Sequence, residues 1–201
     1  MIGQVSSVFM GVDISTICLY GVVAIGLTAL AFRQQKDKII SAWKKEKGKI
    51  LLWASVCLCI TLVTNFLLRF LSALVSGKTE KPLNQQQLES LISPSFWNWT
   101  VTGFSLLILA PLLEELVFRW LLFETFGNNY FSVFFSALTF GFAHYHGETS
   151  AAGILTFLIY PIMGFAFAYV YKTKKNIIWP IACHFLNNLV AFIFMLFATL
   201  K

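Results

Sequence analysis

Residues 96–123 read FWNWTVTGFSLLILAPLLEELVFRWLLF, a run apolar enough to lie in a lipid bilayer yet interrupted by Glu114, Glu115 and Arg119. A charged side chain at bilayer depth costs several kcal/mol, roughly 2.5–3.5 on insertion scales, so such residues face a protein interior or a wet cavity and carry function. Two further apolar stretches hold His144 and the pair His184/Asn188. The pattern points to chemistry performed inside a membrane.

Composition agrees. Hydrophobic residues make up 58 % of the 201 residues and charged ones 12 %, with a mean hydropathy of +0.75; a soluble domain carries about 25 % charged residues. The net charge of +6 does not indicate nucleic acid, because the basic residues sit in two clusters beside apolar runs. Seven Lys/Arg fall in residues 33–49 (RQQKDKIISAWKKEKGK) and three in residues 172–175 (KTKK), where they mark the cytoplasmic side of a membrane. Cys18, Cys57, Cys59 and Cys183 lie within apolar runs as small hydrophobes, without CxxC spacing or a disulfide framework. The N-terminus lacks a basic leader and an obvious cleavage site, so the first apolar run is expected to be retained.

A helical span needs about 20 apolar residues. By that ruler the chain is an all-α, polytopic membrane bundle of about six segments near 8–32, 50–76, 96–123, 130–145, 151–171 and 177–200. The fourth is short. With 33–49 and 172–176 cytoplasmic, both termini fall outside, and the two basic stretches land on one face without adjustment. Residues 1–94 form an N-terminal pair of spans with a polar outer loop; residues 95–201 form the core that carries the motifs. In loop 77–95, Leu83, Leu88, Leu91 and Ile92 are spaced for a short interfacial helix, between Pro82 and Pro94. Ile39, Ile40 and Trp43 could line one face of a partly helical 33–49.

Pro111 disrupts a helix interior and suits a first turn, so it marks a kink or restart with both glutamates in the next turn. Glu115 and Arg119 stand at i,i+4 in the favoured orientation for an ion pair. Glu114 is rotated about 100° from Glu115, so one carboxylate can be neutralised while the other points into a cavity. His144 closes Phe140-x-x-x-His144; His146, two residues on, diverges from it on a helix and belongs to the surface. His184 and Asn188, again i,i+4, can donate to an oxyanion or, for the imidazole, ligate a metal; Asn187 shares the neighbourhood. Each motif also has a structural reading, as an ion-pair network, a helix cap or an interhelical hydrogen bond.

Taken in order, Glu114-Glu115-x-x-x-Arg119, Phe140-x-x-x-His144 and His184-x-x-x-Asn188 resemble the CPBP family, the CAAX proteases and bacteriocin-processing proteins also called Abi or type II CAAX endopeptidase-like proteins. The resemblance spans about residues 95–200. It implies a helical intramembrane endopeptidase in which Glu114 and His144 activate water, His184 and Asn188 stabilise the oxyanion, and Arg119 pairs with Glu115. The family is often labelled metalloprotease, which offers Zn2+ on Glu114, His144 and His184 as a second reading. The chain lacks HExxH or a Cys/His cluster, and a glutamate in apolar surroundings can serve as general base unaided. The expected partners are membrane lipid and a peptide or protein substrate, lipidated or not, in a bacterial plasma membrane. A bacteriocin leader, or a toxin against which the protein gives immunity, falls in that class. A non-catalytic immunity or peptide-binding scaffold of the same fold is the alternative, and a transporter is weaker because no inverted repeat is visible.

Asp13, Arg69 and Glu124 take structural or surface roles, Pro161 and Pro180 are candidate kinks, and Cys183 has no separate base to make it a nucleophile. One ruler conflicts: Glu114 lies about 18 residues from the outer end of its segment and His144 about 14 from the inner end of its own, at about 1.5 Å each. Straight helices would leave them at different depths.

Overall fold

The computed structural model describes residues 14–78, 80–90 and 95–199, with side chains from 26 onward except 27 and 199. Among them every regular element is helical. Helix α1 runs Ile14–Ser76, α2 Leu83–Ser90, α3 Phe96–Phe126, α4 Tyr130–Ala143, α5 Ala151–Lys174 and α6 Ile178–Thr199. Among the described residues four helices are long and apolar enough to cross a membrane: Thr28–Ser76, Phe96–Phe126, Ala151–Lys174 and Ile178–Ala198; the 14-residue α4 is apolar but shorter. The chain is a helical membrane bundle.

The largest departure from the sequence reading lies in residues 33–49, which are helix rather than loop. The first two expected segments join into α1, broken only at Glu46 (φ −128°, ψ 15°), two residues before Gly48, whose freedom weakens a helix. Ala31, Gln35, Ala42 and Ile50 form a buried stripe at near-helical spacing, and the lysines project outward. Ala31 joins one buried cluster with Leu116, Trp120 and Phe123, and Ala42 and Ile50 join another with Phe140, Phe167 and Trp179. The basic stretches meet at one end of the bundle: Asn176 Nδ2 donates to Lys38 O (2.9 Å), and the Lys174 ammonium lies 4.4 Å from the Trp179 ring centre. Asp13, Leu91, Ile92 and Pro94 lie outside the described residues.

Helix starts follow the capping residues. Ser95, Asn129 and Ser150 accept from the N–H groups of Asn98, Ser132 and Gly153 respectively, opening α3, α4 and α5. α3 stops at Gly127, whose φ of 82° suits glycine. α5 has a turn at Leu158 because Pro161 offers no N–H and its ring crowds the carbonyl four residues back.

α4 and α5 cross closely. A Cβ on Gly141 would stand 2.9 Å from Pro161 Cβ, and one on Gly164 3.1 Å from Ala137 O. Small residues at the crossing let the backbones approach, the usual device between helices in lipid. The opposite face of α4, with Phe131, Phe134, Leu138 and Phe142, is exposed and suited to acyl chains.

Candidate active site

α3 is not a uniform helix. Wider i→i+5 turns occupy Ser105–Leu109 and Leu116–Leu121, bracketing Ala110–Glu115; such bulges recur at functional sites. In the first, the Ala110 N–H reaches Ser105 O. The next carbonyl, Leu106 O, would take the N–H of residue 111, but that residue is proline. Asn188 fills the vacancy: its Nδ2 donates to Leu106 O at 2.9 Å. At the second bulge Ser136 Oγ from α4 donates to Phe118 O at 2.6 Å. Side chains of neighbouring helices thus satisfy carbonyls within both wide turns.

Between the bulges the two glutamates diverge. Glu115 is fully buried, and its Oε1 accepts from His184 Nδ1–H at 2.8 Å. Arg119, also fully buried, places Nε 3.0 Å from Glu115 Oε2. That approach is off the line of a directed hydrogen bond, so the contact is mainly Coulombic. The guanidinium instead lies on rings, 4.6 Å from the Phe140 centre and 5.7 Å from Phe167, a desolvated cation–π arrangement worth about 2 kcal/mol.

Glu114 faces the other way, with 27 % of its side chain exposed. Its Oε2 stands 3.7 Å from His144 Nε2 and 3.9 Å from His184 Nε2, and is buried without a hydrogen-bond partner. Both imidazoles are oriented from behind. His144 Nδ1–H donates to Phe140 O at 2.9 Å, and His184 Nδ1–H to Glu115, so each turns Nε2 toward Glu114.

Glu114, Glu115, Arg119, His144 and His184, chosen by sequence, therefore form one connected cluster. Asn188 lies one turn beyond His184, with one amide hydrogen engaged on α3; Asn187 turns toward α1, where Thr61 Oγ1 lies 2.8 Å from its Oδ1. His146 stays at the surface. Cys183 is a fully buried core residue, and half-buried Arg69 lines a groove on α1 with Asn65, Phe66 and Phe70. The depth conflict disappears: α4 is only 14 residues long, and His144 at its end stands 3.7 Å from Glu114. α3 at 31 residues is about 46 Å long and outruns a ~30 Å hydrocarbon core, so Glu114 is not near its far side. Sequence reasoning missed the carbonyls of Leu106 and Phe118 and the ring of Phe167; the Pro111/Asn188 pairing was readable only with the bulge register known.

Zinc was the second reading. Two imidazole Nε2 atoms and a carboxylate are the right donors in kind, but tetrahedral ligands at ~2.0–2.1 Å stand about 3.3 Å apart, against 3.7 and 3.9 Å here. Among the described residues no three His, Cys, Asp or Glu side chains group closely enough to hold a metal. As placed, these residues do not make a zinc site.

Residues 96–190 match the family described as "Type II CAAX prenyl endopeptidase Rce1-like". The chain is 28 % identical over 156 residues to "Putative membrane peptidase YdiL" of Bacillus subtilis (strain 168), covering 76 % of this chain and 59 % of that protein. It is 33 % identical over 95 residues to "UPF0177 protein YajF" of Lactococcus lactis subsp. lactis (strain IL1403), covering 47 % and 43 %. "UPF0177 protein YaiF" of the same organism is 27 % identical over 180 residues, covering 89 % and 74 %. The matches thus span 59 % of YdiL and 43 % of YajF, less than two thirds of either. No solved structure matches the chain significantly. Residues 96–190, the stretch that holds all three motifs, thus match the Rce1-like family model.

Proposed function

We propose that the protein is an intramembrane endopeptidase in which Glu114 and His144 activate water against a peptide bond of a membrane-associated, lipidated or unlipidated substrate. Family and relatives support a membrane protease. The observation that carries the finer reading is the unpartnered Glu114 Oε2, faced by two imidazole Nε2 atoms within 4 Å.

A water about 2.8 Å from both Glu114 Oε2 and His144 Nε2 fits across their 3.7 Å gap, donating one hydrogen to each and leaving an oxygen lone pair for the carbonyl carbon. As the new C–O bond forms, Glu114 takes the water proton and charge develops on the carbonyl oxygen. His184, with Nδ1–H held by Glu115, can donate to that oxyanion when Nε2 also carries a proton. In that form the two carboxylates of Glu114 and Glu115 balance the cations of Arg119 and His184, as a largely desolvated site requires. The second Asn188 amide hydrogen is a further donor. Collapse breaks the C–N bond, and Glu114 returns its proton to the leaving amine. Arg119 and Glu115 touch no reacting atom; they orient His184.

Basic residues of 33–49 and 172–175 at one end of the bundle support a cytoplasmic placement of that end. Processing a leader or destroying a peptide toxin at a bacterial plasma membrane is the use this chemistry fits. The test is cleavage of a quenched peptide library, lipidated members included, by protein purified in detergent. Wild type should cleave, Glu114→Ala and His184→Ala should not, and a chelator should leave the wild-type rate within about 2-fold, since no metal takes part in the water activation proposed here. Equal cleavage by all three proteins would refute the assignment.

A further inference from the structure

His144 lies just past the last turn of α4 with φ −103°, ψ 8°, the sparsely allowed bridge region in which many active-site residues sit. The Phe140 carbonyl holds its Nδ1–H, and two rings flank it: Phe140 lies 4.6 Å away between centroids, and Tyr160 stacks on it at 4.8 Å with planes 16° apart. Tyr160 is buried in α5 and its hydroxyl accepts from Asn84 Nδ2 at 3.2 Å, on the short outer helix α2. Asn84 Oδ1 in turn accepts from His146 Nε2–H at 2.9 Å, and the His146 backbone N–H donates to Glu148 Oε2 at 3.0 Å. Glu148 is itself buried. The loop after His144 and α2 are therefore clasped together over the phenol that sets the imidazole plane.

We propose that Tyr160, aimed by Asn84, is a positioning residue for His144, so that α2 belongs to the catalytic machinery although none of its residues reaches the reacting atoms. The idea rests on His144 as the water-activating imidazole. The Nδ1 bond to Phe140 O sets which nitrogen faces Glu114, and the Tyr160 stack restricts the swing that would carry Nε2 away from the water. A misplacement of about 1 Å in a reacting group can cost about 100-fold in rate.

The test is steady-state kinetics on a cleaved quenched peptide with Tyr160→Leu, Tyr160→Phe, Asn84→Ala and the double variant of the last two. Tyr160→Leu removes the stack and should lower kcat about 30- to 100-fold with KM within about 2-fold. Tyr160→Phe and Asn84→Ala keep the ring but break the same hydrogen bond. Each should lower kcat about 3- to 10-fold, and the double variant should be no worse than either alone. Asn84 is only partly buried, so its replacement decides the matter even if Tyr160→Leu fails to fold. Wild-type kcat in both single variants, losses confined to KM, or losses that multiply in the double variant would overturn the proposal. Cleavage that survives Glu114→Gln would sink the peptidase reading itself; cleavage that needs Glu114 but ignores Asn84 and Tyr160 would sink this inference alone.

Discussion

Replacing Arg119 by methionine tests what holds the acidic turn in place. Arg119 and Glu115 are both fully buried, with 3.0 Å between Nε and Oε2, and the other contact to that carboxylate is His184 Nδ1–H. Methionine fills much of the volume against Phe140 and Phe167 but leaves the Glu115 charge without its cation. Breaking a buried pair from one side costs about 3–5 kcal/mol, because the surviving charge stays desolvated. On the soluble-protein scale of roughly 2–4 °C per kcal/mol for chains of 150–250 residues, the melting temperature should fall by about 6–20 °C. Removing both charges should restore much of this, so Glu115→Gln/Arg119→Met is expected to melt well above Arg119→Met, with a coupling of about 2 kcal/mol or more. Trp120 and Trp179 are buried in the two core clusters, so tryptophan emission during thermal unfolding in detergent reads the transition. Activity should not return with stability, since the double variant lacks the carboxylate beneath His184. A melt of Arg119→Met within about 2 °C of wild type, or a double variant as unstable as the single, would refute the argument.

Other consequences can be checked alongside. Glu114→Gln should fold normally and lose about 100- to 10,000-fold in kcat, the usual worth of a general base, measured on any peptide that wild type cleaves. Gly141→Ala places a Cβ 2.9 Å from Pro161; it should cost about 1–3 kcal/mol by overpacking and lower the cleavage rate, because His144 follows on the next turn. Asn188→Ala strands Leu106 O and should cost about 1–3 kcal/mol. Pro111→Ala in that background supplies the missing N–H and should recover part of the lost melting temperature; no recovery would argue against the Asn188–Leu106 bond as the reason for the loss.

Hydropathy made most of the fold legible, because a bilayer admits few backbones and 20-residue apolar runs have one main use. The charged and polar residues inside those runs identified the cluster, since lipid punishes them unless they meet. Spacing alone was enough to pair Glu115 with Arg119 and turn Glu114 away. Residues 33–49 were harder: their buried positions are Gln35 and Ala42, too small or polar to register as apolar, while the lysines dominate any window average. The meeting of Glu114 with His144 depends on where α4 stops and on two bulges in α3, and backbone register of that kind leaves no mark beyond Pro111. Tyr160 reads as one more aromatic in an apolar run until α4 and α5 are laid together.

The brevity of α4 has a consequence for the bilayer. Fourteen residues make a rod about 21 Å long, beside a hydrocarbon layer of about 30 Å. Lipids against its exposed phenylalanines must shorten, tilt or admit headgroups and water to greater depth, at a fraction of a kcal/mol per Å. A hydrolase consumes water with every turnover, and a local dimple in the membrane would carry that reactant to the level of His144. Turnover in liposomes is then expected to fall as acyl chains lengthen, even when the enzyme and its substrate are unchanged.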